Sequence, residues 1–553
     1  MRKLELVTIS MLLASIELTL ASILNISISN YDLLKYPFGL TEELPPLYWI
    51  TEFLTALSFV IPLLLYKNFN KRIYSLLMPI SFLLLLFNTF FIFYFINPVF
   101  VLSRDEMGHS TEVMYLLLRH TTLLNPGTYQ AHYPLGFIYG AISYIFSGIT
   151  PTYFFIYFGP MFFPIIQTLA VYGLIRLFFK SPYSELGILI YIFSSMPFYV
   201  AEWSPQLMSY NLLFPIFLIV GLIVKKGGLR FTPLLVVLSG LTGLTDIGTF
   251  GSAVTIAIGS LVFAKKIGKL NIKFIAYSGI LTASIYMYWV YFDPIASGAL
   301  SGDYVLLGDF IDVIKSIFIP QSTKNLVLPT STLIYTFLPP SPYHFISVAS
   351  KLLDGGIFLL FSLISFLILV IRRKSDKYVW LTFALGSALL VMQTGIGLAD
   401  NVSNVLTRMI PQAMAFYTIL IVYFLYNKNL LTKAFSIFLV ILIPLSILGY
   451  AMIATSEHSP EAAFFGGKLL GEYGLSSDPT YGFYQGVYQY EGKMVPTIGI
   501  TYDDINFAGP YIETLAVYFG GPSAAKGFEE YNNYVMQNES VIFNSGEMIV
   551  GLK

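Results

Sequence analysis

The stretch from Ser81 to Glu112 reads SFLLLLFNTFFIFYFINPVFVLSRDEMGHSTE. Its apolar first part, which ends near Val101, has the length and composition of a membrane-crossing helix. A polar segment with the adjacent acids Asp105 and Glu106 follows at once. Acidic side chains at the mouth of a membrane helix are costly, so they usually have a function. The stretch therefore predicts a membrane protein with a functional loop after this helix.

The composition of the whole chain supports the same class. Hydrophobic residues make up 56% of the 553 residues and charged residues only 11%, whereas soluble domains carry about 25% charged residues. The 31 basic and 31 acidic residues balance, which gives no reason to propose nucleic acid as a partner. Because the chain has no cysteine, disulfides, thiolate metal sites, iron–sulfur clusters and cysteine nucleophiles are excluded.

Apolar runs of roughly 20 residues, the length that spans a bilayer, recur along the chain. We predict about thirteen spans, at 5–29, 47–66, 75–99, 152–177, 184–201, 207–224, 231–246, 249–264, 273–292, 355–371, 378–396, 409–427 and 434–453. Residues 135–149 are too short and too rich in small side chains to span comfortably, so we interpret them as a helix at the outer interface. The predicted fold class is an all-α polytopic membrane protein with a small α/β domain at its C-terminal end.

Lysine and arginine cluster in alternate connections between the spans, for example at Lys71–Arg72, Lys265–Lys266 and Arg372–Lys374. Cytoplasmic loops carry this excess of positive charge. The N-terminus is therefore predicted to be cytoplasmic and the C-terminal region external, in a multi-pass protein of the plasma membrane.

The predicted membrane domain covers residues 1–454 and includes two large external loops, 100–150 and 293–354. Residues 455–553 have ordinary polar content and form a predicted external α/β domain. Its strand-like runs are Val541–Phe543 and Met548–Leu552, and helical periodicity fits Ala462–Tyr473 and Ile512–Phe519.

The first external loop holds two motifs in a fixed order, Asp105-Glu106 just after a span and Tyr133-Pro134 before the interface helix. This order resembles GT-C class glycosyltransferases, polytopic enzymes that move a sugar from a polyprenyl-phosphate lipid to an acceptor outside the membrane. The C-terminal external domain resembles that of archaeal members and, with the absence of cysteine, favours an archaeal plasma membrane. The chain departs from the class in having two extra spans before the acidic loop. It also lacks the Trp-Trp-Asp-Tyr-Gly motif of oligosaccharyltransferases, which disfavours transfer of an oligosaccharide to asparagine.

Transfer from a lipid phosphate to a hydroxyl needs a carboxylate that takes the acceptor proton. The resemblance assigns the acidic pair to this task, with Asp105 as the base and Glu106 beside it. A carboxylate near an apolar surface suits the role because desolvation makes it a stronger base. The alternative for Asp105 is the N-cap of a helix that starts near Glu106, and the two roles are compatible.

If residues 105–120 are helical, Asp105, His109 and Glu112 share one helix face. Carboxylate and imidazole ligands of this kind suit a divalent cation such as Mg²⁺ or Mn²⁺. The alternative is a hydrated polar face that holds no metal.

The leaving phosphate and the sugar need donors as well. Arg408 is a candidate for holding the phosphate or, alternatively, for snorkelling to lipid headgroups, and Lys351 is a second phosphate candidate. Asp246 either positions the acceptor or the sugar, or caps the turn between two short spans. The remaining substrate-binding candidates are polar residues near predicted outer helix ends: His132, Tyr133, Glu202 and Gln206.

The sequence favours a membrane glycosyltransferase that transfers a hexosyl or pentosyl group from a dolichyl- or other polyprenyl-phosphate donor. The acceptor is an external protein, glycan or lipid. Two other functions stay open: a secondary transporter or flippase of lipid-linked or small substrates, and a cell-surface scaffold. A transporter is expected to bury charges in the middle of its spans. Convergence of Asp105, Arg408 and Asp246 in one external cavity is expected only of the enzyme.

Overall fold

The structure is a computed structural model. It describes residues 3–26, 41, 44–92, 109–110, 113, 116–117, 134–149, 151–195, 204–226, 229–267, 280, 284, 342–372, 377–399, 405–426, 429–457, 505–508, 533–537, 540–544 and 549–552. The longer helices in this part of the chain are α1 Lys3–Leu24, α2 Pro46–Leu64, α3 Lys71–Leu86, α4 Leu135–Ser147, α5 Pro151–Arg176, α6 Tyr183–Ser195, α7 Pro205–Lys226, α8 Thr232–Gly243, α9 Ile247–Ile267, α10 Pro342–Ile371, α11 Lys377–Ala399, α12 Val405–Leu425 and α13 Asn429–Glu457.

Local sequence signals set several helix ends. Helix α2 begins with Pro46, whose fixed φ angle suits the first helical position. Asn70 caps α3, because its side-chain oxygen accepts a hydrogen bond of 2.9 Å from the Arg72 backbone N–H. Gly148 follows the last residue of α4 and adopts a left-handed φ of 69° that favours glycine.

The helices confirm the predicted class of polytopic helical membrane protein. Six of the helices that the structure describes are long and apolar enough to cross a membrane. Every predicted span coincides with one helix, except 273–292, which lies outside the described residues apart from helical residues 280 and 284. The predicted interface helix at 135–149 is α4. The total number of spans remains a prediction.

Helix α10 differs from its prediction. The predicted span begins at residue 355, but the helix begins at Pro342, so the end of the predicted loop 293–354 is helical. Proline at the first helical position and a continuous run of helix-compatible residues extend the helix beyond its apolar part. The rest of that loop lies outside the described residues.

Helix α12 lies at the centre of the helix packing, in contact with α6, α10 and α11. Its side chains from Ile410 to Val422 are almost all buried. Helices α1, α10 and α13 instead expose apolar side chains such as Leu20, Leu363 and Ile441. An apolar outer surface of this kind suits contact with lipid.

The C-terminal part contains a three-stranded antiparallel sheet of β1 (Ile505–Ala508), β2 (Ser540–Asn544) and β3 (Ile549–Leu552), in the order β1-β3-β2. The two predicted strand-like runs are confirmed as β2 and β3. Their register shifts between Val541 and Phe543, where one extra residue forms a bulge. The predicted helices at 462–473 and 512–519 lie outside the described residues, and the domain boundary after residue 454 stays a prediction.

Candidate functional site

His109 and Val113, which follow the third predicted span in the sequence, pack against α4. Residues 109, 110, 113, 116 and 117 are helical. The His109 ring lies edge-on to the Phe137 ring, with 5.3 Å between the ring centroids. Val113 is fully buried, and its methyl group lies 3.0 Å from where a side chain on Gly140 would begin. The glycine therefore allows the two helical segments to approach each other closely.

The start of α4 is joined to the turn between α8 and α9. The Leu135 backbone N–H donates a hydrogen bond of 3.2 Å to the Leu244 carbonyl. Met208 of α7 lies against Gly136, with its sulfur 3.5 Å from the position that a Cβ atom on that glycine would occupy. The chain that follows His132 and Tyr133 is thereby fixed over the first turns of α7 and the α8–α9 turn.

Asp246 lies in that turn and is only 3% exposed. Its Oδ2 accepts hydrogen bonds from the backbone N–H of Thr249, at 2.7 Å, and from the Thr249 hydroxyl, at 2.6 Å. Both bonds are those of an N-cap for α9. The capping interpretation of Asp246 is therefore confirmed, while a role in positioning a substrate stays a prediction.

Further polar side chains connect this cap to α7. The hydroxyl oxygens of Ser209 and Thr249 are 2.5 Å apart. One turn earlier on α7, the Gln206 amide donates a hydrogen bond of 2.9 Å to the Tyr210 hydroxyl. The sequence-predicted residues Asp246 and Gln206 therefore lie in adjoining parts of one polar cluster.

Helix α12 completes the cluster through Gln412, which is 1% exposed. Its amide nitrogen donates to the Tyr210 hydroxyl at 3.3 Å, and its oxygen accepts a hydrogen bond of 2.5 Å from Ser252. Gln412 thus connects α7, α9 and α12. We call this cluster the α7–α9–α12 network, and its members are Gln206, Ser209, Tyr210, Asp246, Thr249, Ser252 and Gln412.

The other predicted site residues are described in part or not at all. Arg408 lies in α12, one turn before Gln412, and Lys351 lies in α10, but their side chains are outside the described part. The candidates outside the described residues altogether are Asp105, Glu106, Glu112, His132, Tyr133 and Glu202.

The sequence analysis missed most of the network. Ser209, Tyr210 and Gln412 lie within apolar spans, where the average hydropathy hides single polar residues. On α7 the spacing of Gln206, Ser209 and Tyr210 gives a usable signal, because polar residues three or four apart along an otherwise apolar helix lie on one face and mark the side turned to the protein interior.

It also missed two carboxylates that are buried among the helices. Asp354 of α10 is 0% exposed and accepts a hydrogen bond of 2.9 Å from Ser446 of α13. Glu52 of α2 is 1% exposed. An acidic residue inside a predicted span is the signal that identifies Glu52, whereas Asp354 lies just before the predicted span that starts at residue 355.

No protein-family model matches the sequence, and no curated protein matches it either. Among solved structures, the chain is similar to the Archaeoglobus fulgidus oligosaccharyltransferase in complex with Zn and sulfate, with 14% identity, a TM-score of 0.46, and coverage of 72% of this chain and 58% of that chain. The oligosaccharyltransferase AglB of that organism, in complex with an inhibitory peptide and a dolichol-phosphate, matches with 13% identity, a TM-score of 0.46, and coverage of 78% and 65%.

A third similar structure is ArnT from Cupriavidus metallidurans bound to undecaprenyl phosphate, with 10% identity, a TM-score of 0.36, and coverage of 86% of this chain and 97% of that chain. The chain spans less than two thirds of the length of the first two structures.

Proposed function

We propose that this chain is an integral membrane glycosyltransferase that moves a sugar from a polyprenyl-phosphate donor to an acceptor on the external face. One observation carries the proposal. The helical residues that follow the acidic pair pack on α4, and the start of α4 is hydrogen-bonded to the turn that holds Asp246. Described residues close in sequence to each motif, His109 and Leu135, therefore connect through α4 to the turn of a buried polar network.

In the proposed reaction, Asp105 takes the proton from the acceptor hydroxyl, with Glu106 next to it. The acceptor oxygen forms a bond to the anomeric carbon, and the bond from that carbon to the phosphate oxygen breaks. The lipid phosphate leaves with the electron pair, and the configuration of the anomeric carbon is inverted. The developing charge on the phosphate needs a cation, and the proposed one is Arg408, with Lys351 as the second candidate.

The network supplies the groups that sugar hydroxyls require. Gln206 and Tyr210 offer amide and hydroxyl groups at the first turn of α7, and Gln412 fixes the Tyr210 hydroxyl from α12. Asp246 holds the start of α9 in place beside them. We assign sugar positioning to this end of α7, where Glu202, His132 and Tyr133 are the further candidates.

A divalent cation at Asp105, His109 and Glu112 belongs to the proposal as a separate element. Imidazole and carboxylate ligands fit Mg²⁺ or Mn²⁺. When bound, the ion would help to hold the donor phosphate. Within the described ranges, no three His, Cys, Asp or Glu residues are grouped as a metal site. His109 is the described member of the set, and its ring packs on Phe137.

The test is transfer from polyprenyl-phosphate sugars by the purified protein, compared with Asp105→Asn. Loss of a general base typically lowers the rate by about 10²–10⁴-fold, whereas binding of the lipid donor should be kept. Asp312→Asn, the same change in the other predicted external loop, is the matched control. Equal rates for wild type and Asp105→Asn would refute the base.

A transporter or flippase of lipid-linked or small substrates is the second candidate. The buried carboxylate Glu52 of α2 favours it, because a transporter buries charges within its spans. Movement of a polyprenyl-phosphate lipid across proteoliposomes without sugar transfer would select this function. A scaffold role predicts neither activity.

A further inference from the structure

Helices α1, α2 and α3 enclose a second group of buried polar side chains, separate from the network described above. Each of its members is at most 3% exposed. We call it the α1–α3 cluster, and its members are Thr19, Glu52, Thr55, Asn88 and Thr89.

Asn88 bridges the first two helices. Its side-chain oxygen accepts a hydrogen bond of 3.1 Å from the Thr19 hydroxyl, and its amide nitrogen donates one of 3.2 Å to the Thr55 hydroxyl. The cluster is therefore a connected arrangement of oxygen-bearing side chains rather than a set of isolated polar residues.

Glu52 is only partly hydrogen-bonded in this cluster. Its Oε1 accepts a bond of 3.2 Å from the Thr89 hydroxyl. Its Oε2 is buried and has no hydrogen-bond partner among the described residues. An ionised carboxylate in this position has no compensating positive charge among the described residues. A protonated one could donate its O–H to the Thr89 hydroxyl, but its Oε2 atom would still be buried without a donor. Each arrangement is costly in an apolar interior.

Another buried glutamate of the same chain is bound very differently. Glu185 of α6 accepts hydrogen bonds from the hydroxyls of Tyr172, Ser181 and Ser184, at 3.0, 2.6 and 2.8 Å. Both carboxylate oxygens of Glu185 therefore have hydrogen-bond partners, whereas Glu52 Oε2 and Asp354 Oδ1 have none among the described residues.

The backbone is also unusual at the cluster. Asn88 and Thr89 lie in a π-helical turn, Phe87–Phe91, at the end of α3. The Tyr48 hydroxyl donates a hydrogen bond of 3.1 Å to the Asn88 carbonyl in that turn. Single π turns within helices occur frequently at functional sites.

We propose that Glu52, Thr55, Asn88 and Thr89 bind a small monovalent cation, with Na⁺ as the ion of choice. Carboxylate, hydroxyl and amide oxygens are ligands for hard cations. The site supplies one negative charge, so a monovalent ion neutralises it, whereas a divalent ion would leave a net positive charge among apolar helices. The bound cation would also contact the Glu52 Oε2 atom, which has no hydrogen-bond partner among the described residues.

The proposed site shares no residue with the α7–α9–α12 network or with the residues assigned to sugar transfer. It lies at the end of α3, the helix that leads into the acidic loop. Cation binding is therefore expected to stabilise the three helices that precede that loop.

The test uses the purified full-length protein in detergent. We would measure its thermal unfolding midpoint in NaCl and in choline chloride at constant ionic strength. NaCl should raise the midpoint in a saturable manner, because a ligand that binds only the folded state stabilises it. Glu52→Gln should abolish the difference between the salts, and Glu185→Gln is the matched control that should retain it.

A second variant keeps the test valid if Glu52→Gln does not fold. Thr89→Val has nearly the same shape and retains the carboxylate, and it should weaken the apparent affinity for Na⁺ by roughly 10-fold. Three results would overturn the proposal: no difference between the two salts for the wild type, an unchanged Na⁺ response in both variants, or a response that disappears in Asp354→Asn instead. A midpoint that depends on pH alone would also overturn it and would make Glu52 a buried neutral acid.

Discussion

The α7–α9–α12 network and the α1–α3 cluster are both buried among membrane helices, yet their carboxylates differ in how they are hydrogen-bonded. In the network, Asp246 Oδ2 accepts two hydrogen bonds from Thr249, and Gln412 uses both ends of its amide. In the cluster, one oxygen of Glu52 has no hydrogen-bond partner within the described part of the chain. A carboxylate that is hydrogen-bonded to backbone and hydroxyl groups fixes the backbone around it. A buried carboxylate oxygen without a hydrogen-bond partner is instead suited to bind a ligand. The hydrogen bonding of the two carboxylates thus distinguishes a positioning role for Asp246 from a binding role for Glu52.

The largest effect that tests this comparison is expected from Asp246→Ala. The change removes the cap of α9 and leaves the Thr249 N–H without its partner, which should lower the free energy of unfolding by about 1–2 kcal/mol. A shift of the α9 start should also lower sugar transfer, on the order of 100-fold. Initial transfer rates and thermal unfolding measure the two effects.

Asp246→Asn refines that prediction, because asparagine retains an oxygen that can cap the helix. It should keep most of the stability and of the activity. If Asp246→Ala transferred sugar at the wild-type rate, the network would have no part in positioning the substrate.

Glu185→Gln is expected to affect stability alone, without the loss of activity expected for Asp246→Ala, and it sharpens the comparison between two buried glutamates. Three hydroxyls donate to Glu185, and hydrogen bonds to a charged group contribute about 1.5–3 kcal/mol each. Glutamine keeps one acceptor oxygen but loses the charge, so we expect a loss of about 2 kcal/mol in unfolding free energy. A stability equal to that of the wild type would mean that hydrogen-bond count does not identify structural carboxylates in this chain.

Tyr210→Phe tests the network at a point that carries no charge. The Tyr210 hydroxyl accepts hydrogen bonds from the amides of Gln206 and Gln412, so its loss removes both of these bonds. Hydrogen bonds between membrane helices contribute about 0.6 kcal/mol on average, and we expect a loss of about 1 kcal/mol. Tyr191→Phe, in the neighbouring α6, is the matched control, and an equal loss there would contradict a special role of Tyr210.

Hydropathy was sufficient to predict the helices, because lipid requires long apolar segments whose backbone is satisfied internally. The predicted spans around α1, α2 and α13 therefore coincide with helices. The start of α10 was missed, since Pro342–Lys351 is helical without being apolar enough for a span. Helix ends in polar surroundings depend on capping and packing, which hydropathy does not measure.

The candidate site was less accessible to sequence reasoning. Asp246 and Gln206 could be identified because they stand near predicted outer helix ends. The contact between His109 and Phe137 joins segments that are distant along the chain, and no periodicity reveals it. Gln412 gave no signal either, because a single amide inside an apolar span leaves open whether it faces lipid or protein.

The smallest effect is predicted for Glu52→Gln in the absence of Na⁺, and it tests the other half of the comparison. Replacing a buried charge by a neutral group of the same shape is nearly neutral when that charge lacks a partner. The glutamine oxygen can still accept the hydrogen bond from Thr89. We therefore expect the unfolding free energy in choline chloride to stay within about 0.5 kcal/mol of the wild type, the range of an uncritical substitution. A loss as large as that of Glu185→Gln would instead mean that Glu52 stabilises the helices without any ligand, and the difference between the two polar regions would then disappear.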